Sequence, residues 1–392
     1  MKLLLTHRYF WPDTTPYAVM LRSMARDLSI AGHDVHIYAS RPSYRGGVSA
    51  PAHEMLEQIH VNRTWVLREN RANPLNRATN VVLYCFGLFA HILRTRPDLV
   101  IASTFPPIFA GWSASFAARL VGAKFIYHVQ DIHPEVSKYG GGLLGRGLVS
   151  RFLTWLDNHT LRRASAIVVL SEDMADTLRT RGQAKLPIRV IGNFLLDTFG
   201  ESTSPPTQWH KCSGRRRVIF AGNLGRFQNL PLLAEGIAHC FTGHPELELM
   251  FLGDGMALPE LKARWGGNAQ VRFAPFMPFA QARGLIAESD IGLVSLSADM
   301  YRVAYPSKLL TYLGLGIPVL ALVEPASNLA NTIRTYGLGT VPDDFSATAV
   351  GEALERLLAN GASRTKILDW YERNTSAAIC LQHWRHLISS FC

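Results

Sequence analysis

Apolar residues along this chain alternate between short continuous runs and longer stretches with helical spacing. Lys2–Thr6 (KLLLT) is the first such run, followed by the loop His7–Pro16 and a three-to-four-residue apolar repeat over Tyr17–Ile30. Gly32-His33 stops that repeat and Val35–Ala39 supplies a second run, so the chain begins strand, helix, strand. The order recurs with runs at Leu99–Ser103, Lys124–Val129, Ala166–Leu170 and Ile188–Ile191, separated by predicted helices over Pro107–Leu120, Val149–Arg162 and Glu172–Arg181. Buried strands alternating with helices predict a parallel sheet covered by helices.

Residues 197–214 (DTFGESTSPPTQWHKCSG) break the pattern with Ser, Thr, Pro and Gly and no apolar face, as an interdomain linker does. The alternation then restarts. Strands are predicted at Arg217–Ala221, Leu247–Leu252, Gln270–Ala274, Ile291–Ser295, Ile317–Leu322 and Leu338–Val341. Helices are predicted over Pro231–His239, Leu258–Arg264, Phe279–Ala287, Ala347–Ala359 and Thr365–Arg373, with another opening at Pro306-Ser307-Lys308. The expected class is α/β, with two Rossmann-like, doubly wound parallel-sheet domains over 1–196 and 215–374. A basic, amphipathic segment over 375–392 (Ile379, Leu381, Trp384, Leu387, Ile388) is expected to pack back on the first domain. Such domains bind ligands beyond the carboxyl ends of their strands, here predicted to face a cleft.

A chain of 392 residues that is 48% hydrophobic has ample material for two cores. Its five scattered cysteines, without CxxC spacing, suit a reducing compartment and argue against a disulfide framework or zinc site. The opening MKLLLTHRYFWP lacks a signal-peptide pattern, and the longest apolar run, Val81–Leu93, is shorter than a bilayer span. A cytoplasmic location is expected. The net charge of +10 calls for an acidic partner. Between Lys138 and Arg189 there are nine Lys/Arg against four Asp/Glu. No nucleic-acid-binding motif is present, which leaves phosphate or an anionic membrane.

Three stretches have the chemistry for a phosphate. In Val218–Leu230 (VIFAGNLGRFQNL), Gly222 and Gly225 fall between a strand and a helix, where a backbone can approach an anion closely. Arg226 adds a forked cation there. Phe251-Leu252-Gly253-Asp254-Gly255 repeats strand-then-glycine. Pro306-Ser307-Lys308 opens a helix, with Ser307 able to cap locally, and Lys308, Thr311 and Tyr312 share one helix face. The plain alternatives are a tight turn and a βα unit with a solvated lysine.

AGNLGRFQNL, FLGDG, VRFAPF (Val271–Phe276), Asp290–Leu296 and PSKLLTYLGLGIPVLA resemble the donor-binding half of family 4 glycosyltransferases, which have the GT-B fold. YHVQDIHPE (Tyr127–Glu135) and RRASAIVVLSEDMADTL (Arg162–Leu178) resemble the other half, closest to bacterial surface-polysaccharide enzymes that transfer fucose-like or N-acetylated sugars. The resemblance implies retaining, metal-independent transfer from a nucleotide-diphosphate sugar, UDP-linked by preference and GDP-linked as the alternative. It implies no cofactor. Gly222, Asn223, Gly225, Gly253, Asp254, Gly255, Pro306, Ser307 and Thr311 would hold the donor, with Phe276 and Met277 bordering the base. Lys308, aided by Arg226, would neutralise the leaving diphosphate, which takes the acceptor's proton. The chain departs from many members at Asn223 and Gln228, where they carry Arg and Lys, and at Val303 and Thr311, where they carry glutamates.

On the acceptor side, His128, Asp131, His133 and Glu135 follow a predicted strand, and Asp131 and Glu135 are the carboxylates that can orient or deprotonate a hydroxyl. No i,i+4 His pair or Asp-x-Asp spacing suggests a metal. Tyr9, Trp11 and Thr15 lie on a loop suited to stacking on a sugar. Val81–Arg96 and Gly140–Arg163 are basic, apolar segments able to lie on an anionic membrane, or else core helices with solvated flanks. The expectation is a transferase peripheral to the inner face of the plasma membrane, acting on a glycan or polyprenyl-diphosphate-linked acceptor for exopolysaccharide or lipopolysaccharide. A nucleotide-sugar 2-epimerase and a non-catalytic partner subunit are the alternatives.

Overall fold

Each predicted strand is present, with ends shifted by a residue or two, in a computed structural model that describes the chain except residues 14, 43–48, 69–72, 140–144, 146, 182–184, 202 and 226–227. The chain divides into Met1–Gly192 with Cys380–Cys392, unit 1, and Asn193–Ile379, unit 2.

Unit 1 is built on β1 (Lys2–Thr6), β2 (Asp34–Ser40), β3 (His53–Leu56), β4 (Ile59–Thr64), β5 (Leu99–Ser103), β6 (Lys124–His128), β7 (Ala166–Val169) and β8 (Ile188–Val190). Their spatial order is β3-β4-β2-β1-β5-β6-β7-β8, and only the β3–β4 pair is antiparallel. The order reverses between β1 and β5, so the switch point lies at the carboxyl ends Thr6 and Ser103. The hairpin β3–β4 is an addition to the sequence reading. Its two-residue turn puts Glu57 and Gln58 at φ +49° and +66°, without the Asn-Gly or Asp-Gly pair that marks such turns.

The connecting helices of unit 1 are α1 (Pro16–Ile30), α2 (Pro74–Thr95), α3 (Phe109–Val121), α4 (Glu135–Tyr139), α5 (Gly147–Arg163) and α6 (Glu172–Thr180). Side-chain oxygens of Thr15, Asn73 and Ser171 cap α1, α2 and α6.

Unit 2 carries β9 (Arg216–Asn223), β10 (Leu247–Asp254), β11 (Val271–Ala274), β12 (Ile291–Ser295), β13 (Val319–Leu322) and β14 (Gly339–Thr340), all parallel in the order β11-β10-β9-β12-β13-β14. Here the switch point lies between β9 and β12. Its helices are α7 (Leu230–Ala238), α8 (Leu258–Trp265), α9 (Phe279–Ala287), α10 (Lys308–Gly314), α11 (Asn328–Tyr336), α12 (Ala347–Asn360) and α13 (Arg364–Asn374). β13 begins two residues later than predicted because the Ile317 N–H turns back to the Tyr312 carbonyl at 2.9 Å. Likewise the Leu338 N–H caps α11 through Ile333 O, which shortens β14.

The chain passes between units at Gly192–Asn193. Within 197–214, Lys211 Nζ contacts both Asp290 oxygens at 2.9 Å and His210 Nδ1 lies 2.6 Å from Glu288, which fastens that segment to unit 2. The last helix, α14 (Ala377–Ser389), carries Cys380–Cys392 into unit 1. Its Trp384 is fully buried with the ring edge-on to His128 at 4.8 Å, and Arg385 pairs with Asp27 of α1. Trp384→Ala is expected to cost roughly 3–5 kcal/mol of unit 1 stability. Urea unfolding reads this, and a loss below about 1 kcal/mol would show that α14 is not integral to the unit.

Candidate functional site

In unit 2 the two glycine loops sit on adjacent parallel strands, with Gly253 opposite Gly222 and Asp254 opposite Asn223. Gly253 has φ +135°, and a Cβ there would lie 2.0 Å from the Gly222 carbonyl oxygen. Only glycine lets the strand ends approach so closely. The loops are laced together by Leu224 N–H to Asp254 O and Ala257 N–H to Leu224 O, both at 2.9 Å. Gly222, Asn223 and Asp254 are exposed at this edge. The Gly225 N–H, expected to face a phosphate, instead donates to Gln228 Oε1 at 2.8 Å. Gln228, one of the departures from the family pattern, thus holds the loop closed through its own side chain. Arg226 lies outside the described residues.

α10 supplies the cation. Lys308 opens this helix, and its ammonium lies 3.3 Å from the centroid of the Phe220 ring in β9. Its Nζ is out of water and meets no hydrogen-bond acceptor. Burial lowers its pKa to about 7. Tyr312, one turn on, is fully buried as a plug. Its hydroxyl donates to Ile219 O and accepts from Ala221 N–H, both at 3.1 Å, which locks α10 to β9. Pro306 is buried, Thr311 is half-buried, and Ser307 is exposed without making the expected side-chain cap. After β11, Phe276 stays 47% exposed while Met277 is buried.

Of two further residues at this edge, Val303 was noted in the sequence as a departure and Glu324 was not singled out. Val303, where relatives often carry a glutamate, is fully buried and anchors its loop through an N–H to Met300 O. Glu324, just beyond β13, accepts from the Asp299 N–H at 3.0 Å and so holds the loop following β12. A carboxylate directly after a central strand was the signal for it.

Unit 1 separates the four predicted acceptor-side groups. His128 is buried and both ring nitrogens are occupied, Nδ1 by Tyr17 Oη at 2.9 Å and Nε2 by Gln130 Nε2 at 2.7 Å. The amide donor from Gln130 fixes a neutral ring protonated at Nδ1, so Tyr17 accepts. Burial, helped by nearby His7, lowers the His128 pKa to about 3. It therefore ties β6 to α1 and is not an acceptor contact. Glu135 is likewise corrected: both its oxygens are taken by Arg181, with Nε to Oε1 at 2.7 Å. Arg181 also reaches Asp157 Oδ2 at 2.7 Å and the His133 carbonyl at 2.9 Å. A carboxylate held this way is a structural anion, not a free base.

Asp131 differs. No charged partner offsets its burial, and desolvation alone raises its pKa to about 6. Its backbone N–H is held by Thr104 Oγ1, at the loop after β5 and hence at the switch point. His133, close to Arg181, is kept neutral with a pKa lowered to about 4, chiefly by burial. Among the loop residues, Tyr9 is buried and stacked on Phe105 at 5.3 Å, Trp11 lies under the Arg22 guanidinium at 4.3 Å, and the Thr15 hydroxyl is spent on Ala18 N–H. These contacts pack the loop.

One grouping with metal-ligand chemistry occurs among the described residues: Asp34, His36 and His60, with donor atoms within 4.8 Å of one another. It lies toward the amino ends of β2 and β4, the edge opposite Asp131.

Residues 17–193, most of unit 1, match the family model for a glycosyl transferase 4-like domain. WbjE of Pseudomonas aeruginosa, assigned as a glycosyltransferase, is 24% identical over 281 residues, 69% of each chain. WcaI of Escherichia coli K12, assigned as a colanic acid biosynthesis glycosyl transferase, is 20% identical over 392 residues, 95% of this chain and 96% of its own. Anabaena HepE, solved in complex with UDP, matches the fold with a TM-score of 0.68 at 13% identity over the full length of both chains. The two parallel-sheet α/β domains are those of the GT-B fold.

Asp131 generates a prediction with a defined sign. Its folded pKa lies above the unfolded value, so the stability it contributes is present below about pH 4 and is lost as pH rises through about 6. Asp131→Asn should therefore stabilise the protein by about 2 kcal/mol near pH 7.5, with the gain vanishing near pH 4. Glu135→Gln should instead destabilise the protein near pH 7.5, by stripping Arg181 of a partner. Urea melts at the two pH values decide this, and an Asn variant no more stable than wild type at pH 7.5 would show the Asp131 carboxylate to be solvated or paired.

Proposed function

We propose that the chain is a retaining glycosyltransferase that moves a sugar from a UDP-linked donor to a glycan or polyprenyl-diphosphate-linked acceptor in surface-polysaccharide assembly. A fucose-like or N-acetylated sugar is the donor class the sequence resemblance favours. The observation that carries the reading is the Lys308 ammonium, buried over Phe220 at a glycine-lined switch point with no anion to meet it. The glycosyl transferase 4-like match over residues 17–193 and the UDP held by HepE support the substrate class.

In this reaction the bond from the anomeric carbon to the β-phosphate oxygen breaks, and its electron pair goes to the diphosphate. The acceptor hydroxyl bonds to the anomeric carbon on the same face, and its proton passes to the departing phosphate. Negative charge thus grows on the diphosphate in the transition state. A cation held in place by Phe220 and Tyr312 stabilises that charge more than the ground state, which is how it lowers the barrier. Asp131, ionised at neutral pH, is the group we assign to orient the acceptor hydroxyl.

Because Lys308 titrates near neutrality, binding a diphosphate above about pH 7 requires uptake of a proton. Nucleotide affinity should therefore fall as pH rises beyond that point. Thermal-shift measurements with UDP, GDP, dTDP, CDP and ADP test the site directly, since a ligand of the native state raises the melting temperature by mass action. UDP is expected to stabilise wild type, more at pH 6.5 than at pH 8.5, and to leave Lys308→Ala unshifted. Turnover of that variant should fall by several orders of magnitude with the fold intact.

EDTA should leave transfer unchanged, and restoration of lost activity by Mg²⁺ would contradict the metal-free scheme. No shift with any nucleotide would favour a non-catalytic partner subunit, and epimerisation of a UDP-sugar without acceptor would favour an epimerase.

A further inference from the structure

We propose that the outer face of α2, α3 and α5 is a docking surface for an anionic lipid bilayer, on which unit 1 lies without spanning it. Each of the three helices carries an apolar stripe on the side where a soluble helix is normally polar. On α2 the outward positions at helical spacing are Leu75, Val82, Phe86 and Ala90, with Phe86 74% exposed. On α3 they are Phe109, Trp112, Phe116 and Leu120, and on α5 Leu148, Phe152 and Trp155, the last two more than half exposed. The three helices adjoin through apolar contacts. Phe89 of α2 stacks on Phe116 at 5.9 Å, Phe116 on Trp112 at 5.8 Å, and Trp112 packs with Leu153 and Leu156 of α5.

Charge selects the occupant. The three helices hold a single acidic residue, Asp157, which is buried and paired with Arg181. Exposed on the same helices are Arg77, Arg94, Arg119, Arg151 and Arg162, while Arg163 lies over Phe116 at 5.3 Å with its stem along apolar surface. Exposed apolar side chains and exposed arginines on the same helices suit the interface of a bilayer carrying anionic headgroups. A second copy of the chain fits poorly, because an isologous contact would set arginines against arginines.

Insertion across the bilayer is excluded by packing. α2 is long and apolar enough to span, but Tyr84, Leu88 and Ile92 are buried beneath it and Tyr84 Oη meets Thr6 Oγ1 of β1 at 2.5 Å. Spanning would tear that face from the sheet.

This inference stands on unit 1 alone and does not rest on glycosyl transfer. Its test is co-sedimentation of the full chain with vesicles of phosphatidylglycerol and phosphatidylethanolamine, and of phosphatidylcholine alone, at about 150 mM salt. Binding to the anionic vesicles is expected, with at least a tenfold loss in the double variant Phe86→Glu, Phe152→Glu and a similar loss on phosphatidylcholine. An unchanged melting temperature for that variant would show the loss to be local. Equal binding by wild type and the variant, or no vesicle binding, would overturn the proposal. So would a dimer seen by light scattering in wild type and abolished in the variant, which would assign the face to self-association.

Discussion

The structure of unit 2 turns on one uncompensated charge. Lys308 is held with its ammonium over an aromatic ring and no anion within hydrogen-bond reach, at the edge where β9 and β12 part. A quadrupole attraction of roughly 0.5–2 kcal/mol offsets only part of the cost of drying a lysine. Burial accordingly lowers its pKa to about 7. The fold accepts this because α10 is fixed independently by the Tyr312 hydroxyl bridging two backbone groups of β9. Stability is provided next to the charge and not by it.

Unit 1 makes the opposite choice for most of its buried acids. Glu135 and Asp157 share Arg181, and the Tyr127 hydroxyl donates to Asp157 at 3.1 Å, so two carboxylates close together are satisfied by one fork and one phenol. Asp131 stands four residues from Glu135 and lacks any such partner. The contrast over four residues separates a carboxylate tied into the scaffold from one without a counter-charge. In each unit the uncompensated charge lies beyond the carboxyl end of a parallel strand, Lys308 after β12 and Asp131 after β6, the edge at which such sheets bind ligands.

The order and type of nearly every element were legible because buried parallel strands read as unbroken apolar runs, as in LLL at Leu3–Leu5 or VLAL at Val319–Leu322. The β3–β4 hairpin was not, since its alternation is short and its turn uses Glu57-Gln58 in place of glycine or asparagine. Lys308 and the glycine loops were legible through motif spacing. The fates of Glu135 and His128 were not, because their partners Arg181, and Tyr17 with Gln130, are set by three-dimensional packing. Glu135 and Asp131 look equivalent as letters, and only the distance to an arginine 46 residues downstream of Glu135 tells them apart.

The same limit governs α2 and α5. A basic apolar helix in a sequence is equally a core helix with solvated flanks or a surface helix with an apolar outer face, and periodicity cannot say which side meets the sheet. The structure assigns Tyr84, Leu88 and Ile92 to the sheet, which leaves Val82 and Phe86 outward. With α3 alongside, the apolar outer positions of three neighbouring helices adjoin one another, and water alone would make that costly. Scattered exposed apolar residues need no explanation, but apolar outer faces on adjacent helices that carry exposed arginines and no exposed acid do. A bilayer meets both demands at once, since acyl chains cover the rings while headgroup phosphates meet the guanidinium groups.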